Sequence, residues 1–426
     1  MNDKDSSAKG VALYVGWDWS DQKHDLYLRL PGHATGTHQI LKNTPEDLRR
    51  WFERIDHDYP HHKLVIALEG CRSALLPLLL EFGHRLEVFW LNPRSLSTYR
   101  QTFRISGAKS DALDCQLAAD LAISHPEHLH HWNPEDESTL QLALEVEQRR
   151  HLVDLRTLLA NRLKAHLKCY FPQALELFKD DLTSPIVSAF LKKWPNFQSL
   201  KKSRRSTLQS FWRARGGRWT RRVDQFFDQI SQRAEITTSP KWLTPHSAYT
   251  QALAAELMAL HPSIRAYDQR IAQLTQEHSA YCVVSQLPGA GPVLKSRILA
   301  IVGEGANRYT GAEELAVISG IAPVIRSSGK SKVVLRRHAF PHFMHQTFIE
   351  FAKSSAQWCD WAATFLKTKQ EKGWGFYRAI RALAYKWIRI ISALSRNQEP
   401  YDESKYMNAL KKHNSPYAQP STPQTS

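Results

Sequence analysis

Sulfur ligands are scarce in this 426-residue chain: five cysteines, at positions 71, 115, 169, 282 and 359, with no Cys-x-x-Cys pair among them. That scatter argues against a disulfide framework or a cysteine zinc module and fits a reducing cytoplasm. Long apolar runs are missing too. No stretch approaches the ~20 apolar residues that span a bilayer, and the opening MNDKDSSAKG lacks the apolar core of a leader peptide. Acid is in deficit: 41 Asp and Glu against 57 Lys and Arg leave a net charge of +16 and a pI near 9.6. Such a surplus calls for a polyanionic partner, and basic residues interleaved with aromatics favour nucleic acid over a membrane surface.

The deficit is complete in Lys192–Arg222, KKWPNFQSLKKSRRSTLQSFWRARGGRWTRR. There Lys192, Lys193, Lys201, Lys202, Arg204, Arg205, Arg213, Arg215, Arg218, Arg221 and Arg222 would neutralise phosphates. Trp194, Phe197, Phe211, Trp212 and Trp219 would make the aromatic contacts of a nucleic-acid surface. The bland alternative is a solvated basic face.

The acids that are present fall in a pattern. Leu13–Asp18 reads as a strand ending in Asp18, with Asp25–Leu30 as its hairpin partner and His38–Lys42 as a third strand. Thr44-Pro45-Glu46-Asp47 opens a helix with Leu48, Trp51, Phe52 and Ile55 on its apolar face. A second apolar run, Leu64–Leu68, ends in Glu69, and a third, Leu86–Leu91, stops at Asn92-Pro93. Asp111 and Asp114 are spaced i and i+3, on one face if helical. Hairpin strands followed by alternating helices and strands predict a mixed sheet covered by helices, the layout of RNase H-like folds. Strand-end acids beside a helical acid pair suggest a two-metal phosphodiester site, for which oxygen donors suit Mg²⁺ or Mn²⁺. Each acid has an ordinary reading as a turn cap or a solvated face. The joint pattern is stronger than its parts.

Beyond residue 132 the expectation is mainly helical. Leu152, Leu155, Leu159, Leu163 and Leu167 form a seam, for packing within the domain or for a dimer coiled coil. Leu253, Leu257, Leu260 and Ile264 form a second seam, able to pair antiparallel with the first. His125–His131 reads as a polar linker rather than a zinc site. Leu287–Pro292, LPGAGP, resembles a helix-hairpin-helix turn in which Gly289 and Gly291 let backbone amides approach a phosphate. Thr310–Glu313 reads as a capping box. Ile321–Lys332 reads as a cationic, hydroxyl-rich loop: Arg326, Lys330 and Lys332 could bind phosphate, and a serine there is a turn residue or a nucleophile. The chain after Asn397 is polar and predicts disorder.

With these residues in view, the chain resembles the DEDD transposases of the insertion-sequence one-ten family, relatives of the Piv DNA invertase. Gly16-Trp17-Asp18-Trp19-Ser20 resembles the family's G-x-D-x-S strand end, and Leu68-Glu69-Gly70 its E-x-[TG]. Val88–Pro93 resembles the strand ending in Asn-Pro, and Lys109–Asp114 resembles K-[TS]-D-x-x-D. Leu287–Gly291, Gly320–Pro323 with Ser328-Gly329, Arg381–Ile390 and Pro400–Glu403 resemble its C-terminal elements. The resemblance implies that Asp18, Glu69, Asp111 and Asp114 bind Mg²⁺ or Mn²⁺, two per site, in a RuvC-like domain. It implies that Ser328 attacks DNA to form a phosphoserine intermediate; Ser327 beside it leaves the choice to alignment. It further implies a dimer to tetramer, donor and target DNA as substrates, a guiding bridge RNA, and a bacterial, nucleoid-associated location. The domains expected are a disordered start at 1–10, the RuvC-like unit at 11–132, a helical coiled-coil and basic region at 133–278, a transposase domain at 279–398 and a mostly disordered tail at 399–426. A Piv-like invertase without RNA, or a RuvC-like nuclease using water, stays open.

Overall fold

The computed structural model describes residues 12–417 except 31, 70–74, 92, 104–109, 133–135, 180, 217–219, 305–307 and 330. The chain divides into two compact units, split between Pro134 and Glu135.

The first unit contains β1 (Ala12–Asp18), β2 (Lys23–Arg29), β3 (Thr37–Lys42), α1 (Pro45–Asp58), β4 (Lys63–Leu68), α2 (Leu76–Glu81), β5 (Leu86–Trp90), α3 (Pro93–Phe103), α4 (Asp111–Ser124) and β6 (His130–Trp132). Its sheet runs β3-β2-β1-β4-β5-β6. The β1–β2, β2–β3 and β5–β6 pairs are antiparallel, while β4 lies parallel to both β1 and β5. The alternation of side chains along the strands sorts two cores. Leu13, Val15, Trp17, Leu64, Ile66 and Leu68 meet Trp51 and Phe52 of α1 on one face. Val65, Ala67 and Phe89 meet Leu117, Ala118 and Leu121 of α4 on the other. Trp17, only 1% exposed, is therefore core, packed against Trp51 and Phe52. The histidine-rich segment expected as a linker contributes β6 to the sheet edge, Trp132 pairing with Val88.

The second unit is mostly helical. Its elements are α5 (Glu137–Tyr170), α6 (Pro172–Phe178), α7 (Pro185–Lys193), α8 (Phe197–Lys201), α9 (Arg205–Arg213), α10 (Arg221–Asp228), α11 (Pro240–Glu277), α12 (Tyr281–Ser285), α13 (Pro292–Val302), α14 (Ala312–Ile318), β7 (Val324–Ser328), β8 (Ser331–Leu335), α15 (His342–Ser355), α16 (Asp360–Glu371), α17 (Phe376–Asn397) and α18 (Glu403–Lys412). The two leucine seams lie on α5 and α11, which pair antiparallel within the chain: Glu145 with Arg270, Arg149 with Asp268, Tyr170 with Thr250. Leu159, Leu163 and Leu167 are buried against Leu253 and Leu257, whereas Leu155 is exposed.

Two cores divide this unit. One joins α5 and α11 to the short helices α6–α10. The other takes Leu142, Val146 and Ile271, from the far ends of the same two helices, into the packing of α13, α15 and α17. The core boundary thus runs through α5 and α11 rather than at residue 278. The tail also differs from expectation up to Tyr417: Tyr401 is buried and accepts a hydrogen bond from Trp361 Nε1 at 2.8 Å, and Leu410 of α18 joins the core. Two large apolar contacts outweighed a polar composition. Among the described residues no helix is long and apolar enough to cross a membrane.

Candidate active site

Strand register brings the first two acids side by side. In the parallel β1–β4 pair Trp17 faces Leu68, so Asp18 and Glu69 follow at adjacent strand ends. Helix α4 supplies the other two. Ser110 caps it, its hydroxyl accepting from Leu113 N at 3.3 Å. Asp111 and Asp114 then occupy the first turn, where the helix dipole favours negative charge. Asp111 is exposed and Asp114 buried.

Gly16 sets how closely α4 approaches β1. A Cβ there would stand 1.8 Å from the carbonyl oxygen of Cys115 and 2.8 Å from the amide nitrogen of Ala119. Only a residue without a side chain lets the helix backbone rest on the strand, two residues before Asp18. The glycine of G-x-D is a spacer for the helix that carries the acid pair.

The electrostatic consequence appears at Asp18. Its carboxyl is pushed up to about 6, first by burial, then by the charges of Asp111, Asp114, Glu69 and Asp25. The charges of the three other predicted acids therefore all reach Asp18. No three of them present ligand atoms within 4.8 Å of one another; among the described residues the groups that do are His125, Glu127 and His128, and Asp136, His278 and Glu304. In the second group the imidazole is already engaged, Nε2 with Thr139 Oγ1 at 2.8 Å and Nδ1 accepting from Ala280 N at 3.1 Å.

Two neighbours escaped the sequence reading. Asp25, opposite Asp18 in the β1–β2 register, is buried and held by Lys23 Nζ and His38 Nε2, each at 2.9 Å. Its place opposite the strand-end acid was the one available signal. Arg100 of α3 stands 2.6 Å from Asp114, both side chains largely buried. Nothing in the sequence links the two.

The second unit holds the serines. The expected loop is a hairpin, β7 pairing with β8 so that Ser328 faces Ser331 across a turn in which Gly329 has φ +53. Apolar residues lie at the base of the hairpin, Val324 and Ile325 against Leu335 and Val334, and polar ones near its tip. Ser327 and Ser328 are exposed and, by strand alternation, point to opposite faces. Arg326 and Lys332 flank them, exposed; Lys330 lies outside the described residues. At the hairpin's base Gly320, with φ +70, leaves no room for a Cβ beneath Phe340. Gly289, with φ +72, is pressed against the backbone of Ser354, whose hydroxyl donates to its carbonyl at 2.7 Å. Its lack of a side chain thus serves packing, whereas Gly291 is open at the N-cap of α13. The cap before α14 uses Glu314 rather than Glu313: its carboxylate accepts from Thr310 N and Oγ1.

The basic block corrects the reading of its aromatics. Trp194, Phe197, Phe211 and Trp212 are all buried, the core of the small helices rather than a stacking surface. Lys192, Lys193, Lys201, Lys202, Arg204, Arg205, Arg213, Arg215 and Arg221 remain exposed around that core. Arg205 is bound to Asp224 and Asp228, just beyond the acid-free run. Arg218 and Trp219 lie outside the described residues, and Arg222 is in α10.

Comparison with known proteins finds two family matches along the chain. Residues 15–172 match the DEDD transposase family of IS110, described as "Transposase". Residues 282–367 match the "Transposase IS116/IS110/IS902 family". The chain is similar to the mini-circle putative transposase for IS117 of Streptomyces coelicolor, 24% identical over 413 residues, 93% of this chain and 96% of the relative. It is 25% identical over 322 residues to the insertion element IS110 uncharacterized 43.6 kDa protein of the same organism, covering 75% of this chain and 78% of the relative. It is also 25% identical over 333 residues to the insertion element IS900 uncharacterized 42 kDa protein of Mycobacterium paratuberculosis, covering 78% and 82%. The first match spans all four predicted acids and the second spans the serine hairpin, and the chain belongs to the IS110 family of DEDD transposases.

Proposed function

We propose that this transposase cuts and rejoins DNA through a phosphoserine intermediate, with Ser328 as nucleophile and Asp18, Glu69, Asp111 and Asp114 holding two divalent cations, Mg²⁺ or Mn²⁺. The observation that carries the reading is the raised carboxyl of Asp18, on which the three other acids act together. A set of carboxylate oxygens whose charges repel suits a hard cation. Such ions, when bound, stabilise charge on the attacking and leaving oxygens of a phosphodiester. The chain's own part is positioning: parallel strand ends fix Asp18 and Glu69, the first turn of α4 fixes Asp111 and Asp114, and Arg100 steadies Asp114.

At the serine, Oγ forms a bond to phosphorus as one bridging P–O bond breaks. The hydroxyl proton leaves to solvent or a carboxylate, and the freed DNA oxygen takes up a proton. Exposure of Ser328 at a hairpin turn supports its access to a macromolecular substrate. The reading takes the first unit as RuvC-like and the α12–α13 turn as helix-hairpin-helix-like. It takes the working form as a dimer to tetramer acting on donor and target DNA in the bacterial cytoplasm. The net charge of +16 supports a bound guide RNA as well as DNA, since base pairing can supply specificity while protein reads backbone.

The test is covalent trapping. Full-length protein, Mg²⁺, supercoiled DNA carrying the element junction and RNA from the flanking non-coding region are mixed and run on a denaturing gel. A protease-sensitive DNA adduct that needs the RNA is expected, lost in Ser328→Ala. Asp18→Asn and Asp111→Asn should still bind DNA yet form none. An RNA-independent adduct would favour a Piv-like invertase. Free cut ends without adduct would overturn the serine and favour a hydrolytic nuclease.

A further inference from the structure

The base of the serine hairpin opens on a cavity of about 490 Å³ between β8 and α17. Arg336, Arg337, Arg378 and Arg381 line it with Trp374 and Tyr385, and no Asp or Glu does. Another arginine-lined cavity, between α5 and α13, differs in kind. There Arg149, Arg150 and Arg297 face Asp268, Asp154 and Glu350, so its charges are internally matched.

In the hairpin cavity nothing among the described residues matches them. Burial and then the charges of Arg336 and Arg378 hold Arg381 below the usual guanidinium range, and no carboxylate acts in the opposite sense. His345 beside them is lowered by burial and by Arg336, Arg381 and His342, offset only by a hydrogen bond to the carbonyl of Ser319. Arg337 Nε is buried without a hydrogen-bond partner. Arg378 stacks over Trp374 at 4.0 Å. Collected guanidinium groups with no acid among them are costly unless an anion arrives from outside. Guanidinium forks match phosphate oxygens, and the aromatic walls suit the sugars and bases beside them.

Position names the strand concerned. Leu335 of the cavity wall pairs with Val324, and Ser328 lies four residues further along β7. At ~3.3 Å per residue that is roughly 13 Å, at most about four nucleotide steps along one strand of duplex DNA.

We propose that the cavity holds backbone phosphates of the DNA strand that becomes joined to Ser328, within about four nucleotides of the scissile phosphate. The proposal rests on the serine reading for its location and on the unmatched arginines for its chemistry. Binding of full-length protein to a short DNA duplex of arbitrary sequence, measured by anisotropy across a salt series, tests the chemistry. Changing all four arginines to Gln should lower the slope of log affinity against log salt by about 3 to 4. The four Arg→Lys changes should retain most of that slope. Should the quadruple Gln protein melt early, Arg336→Gln with Arg378→Gln, both at exposed positions, should lower the slope by about 2. An unchanged slope in a folded variant overturns the proposal, as does a loss seen with RNA but not DNA. Ser328→Ala should leave the slope intact, so the serine reading can fail without the cavity failing. Phosphate ethylation interference should mark positions within about four nucleotides of the junction; interference only farther away overturns the placement.

Discussion

Asp18 sits in its own neighbours' field. Its carboxyl titrates near 6 in the folded protein against an ordinary value of 3.8. Between those values the native state keeps a proton that the unfolded chain has lost, so metal-free stability falls as pH rises from about 4 through about 6. Asp18→Asn removes that liability. In chelator at about pH 7.5 the variant should be more stable than the parent by roughly 1 kcal/mol, after allowing for solvent screening of a half-exposed group. The gap should close near pH 4. Thermal melts at the two pH values check it; a variant less stable at neutral pH would contradict the crowding of charge. Gly16→Ala makes the opposite point. A Cβ 1.8 Å from a backbone oxygen must push α4 away, at a cost of about 3 kcal/mol or more. DNA cleavage should fall with it, while Gly83→Ala, in the short helical turn Gly83–Arg85 with open space around its Cβ, should be near neutral. Equal melting temperatures for Gly16→Ala and the parent would remove the spacer role.

At the scale of elements, what was legible was what periodicity carries. Strands β1 and β4 could be read because apolar runs ended in acids, β5 because its run stopped at Asn92-Pro93, and the acid pair of α4 because of its i, i+3 spacing. Asp25 and Arg100 could not, because their roles depend on register and on contacts between elements distant in sequence. The aromatics of Lys192–Arg222 were misread for a physical reason. Short helices must bury large side chains to hold together, and Trp194, Phe197, Phe211 and Trp212 serve that need while the cations stay outside. The i, i+3 and i+4 spacing of Leu208, Phe211 and Trp212 was the available clue. Trp212→Ala should therefore destabilise this helical core by about 3–5 kcal/mol, measured by denaturant unfolding. By contrast, Lys202→Gln with Arg204→Gln should weaken nucleic-acid binding in a salt-dependent way without lowering the melting temperature. Reversed outcomes would return the aromatics to a binding role.

At the scale of the molecule, the proposed chemistry is divided between two units. The carboxylates lie in the first and the serine hairpin, with its arginine cavity, in the second. Family membership was legible because both sets of motifs survive in order; the arginine cavity was not, since it forms only where segments around residues 320–323, 334–337 and 374–385 fold together. The central claim is that Ser328 becomes covalently bound to DNA. The most direct measurement is mass spectrometry of the protein after reaction with junction DNA, nuclease digestion and proteolysis. The expected result is a nucleotide mass on the peptide containing Ser328, absent from Ser328→Ala and from Asp18→Asn. A modified peptide elsewhere, or cleaved DNA with Ser328 unmodified throughout the reaction, would contradict the account.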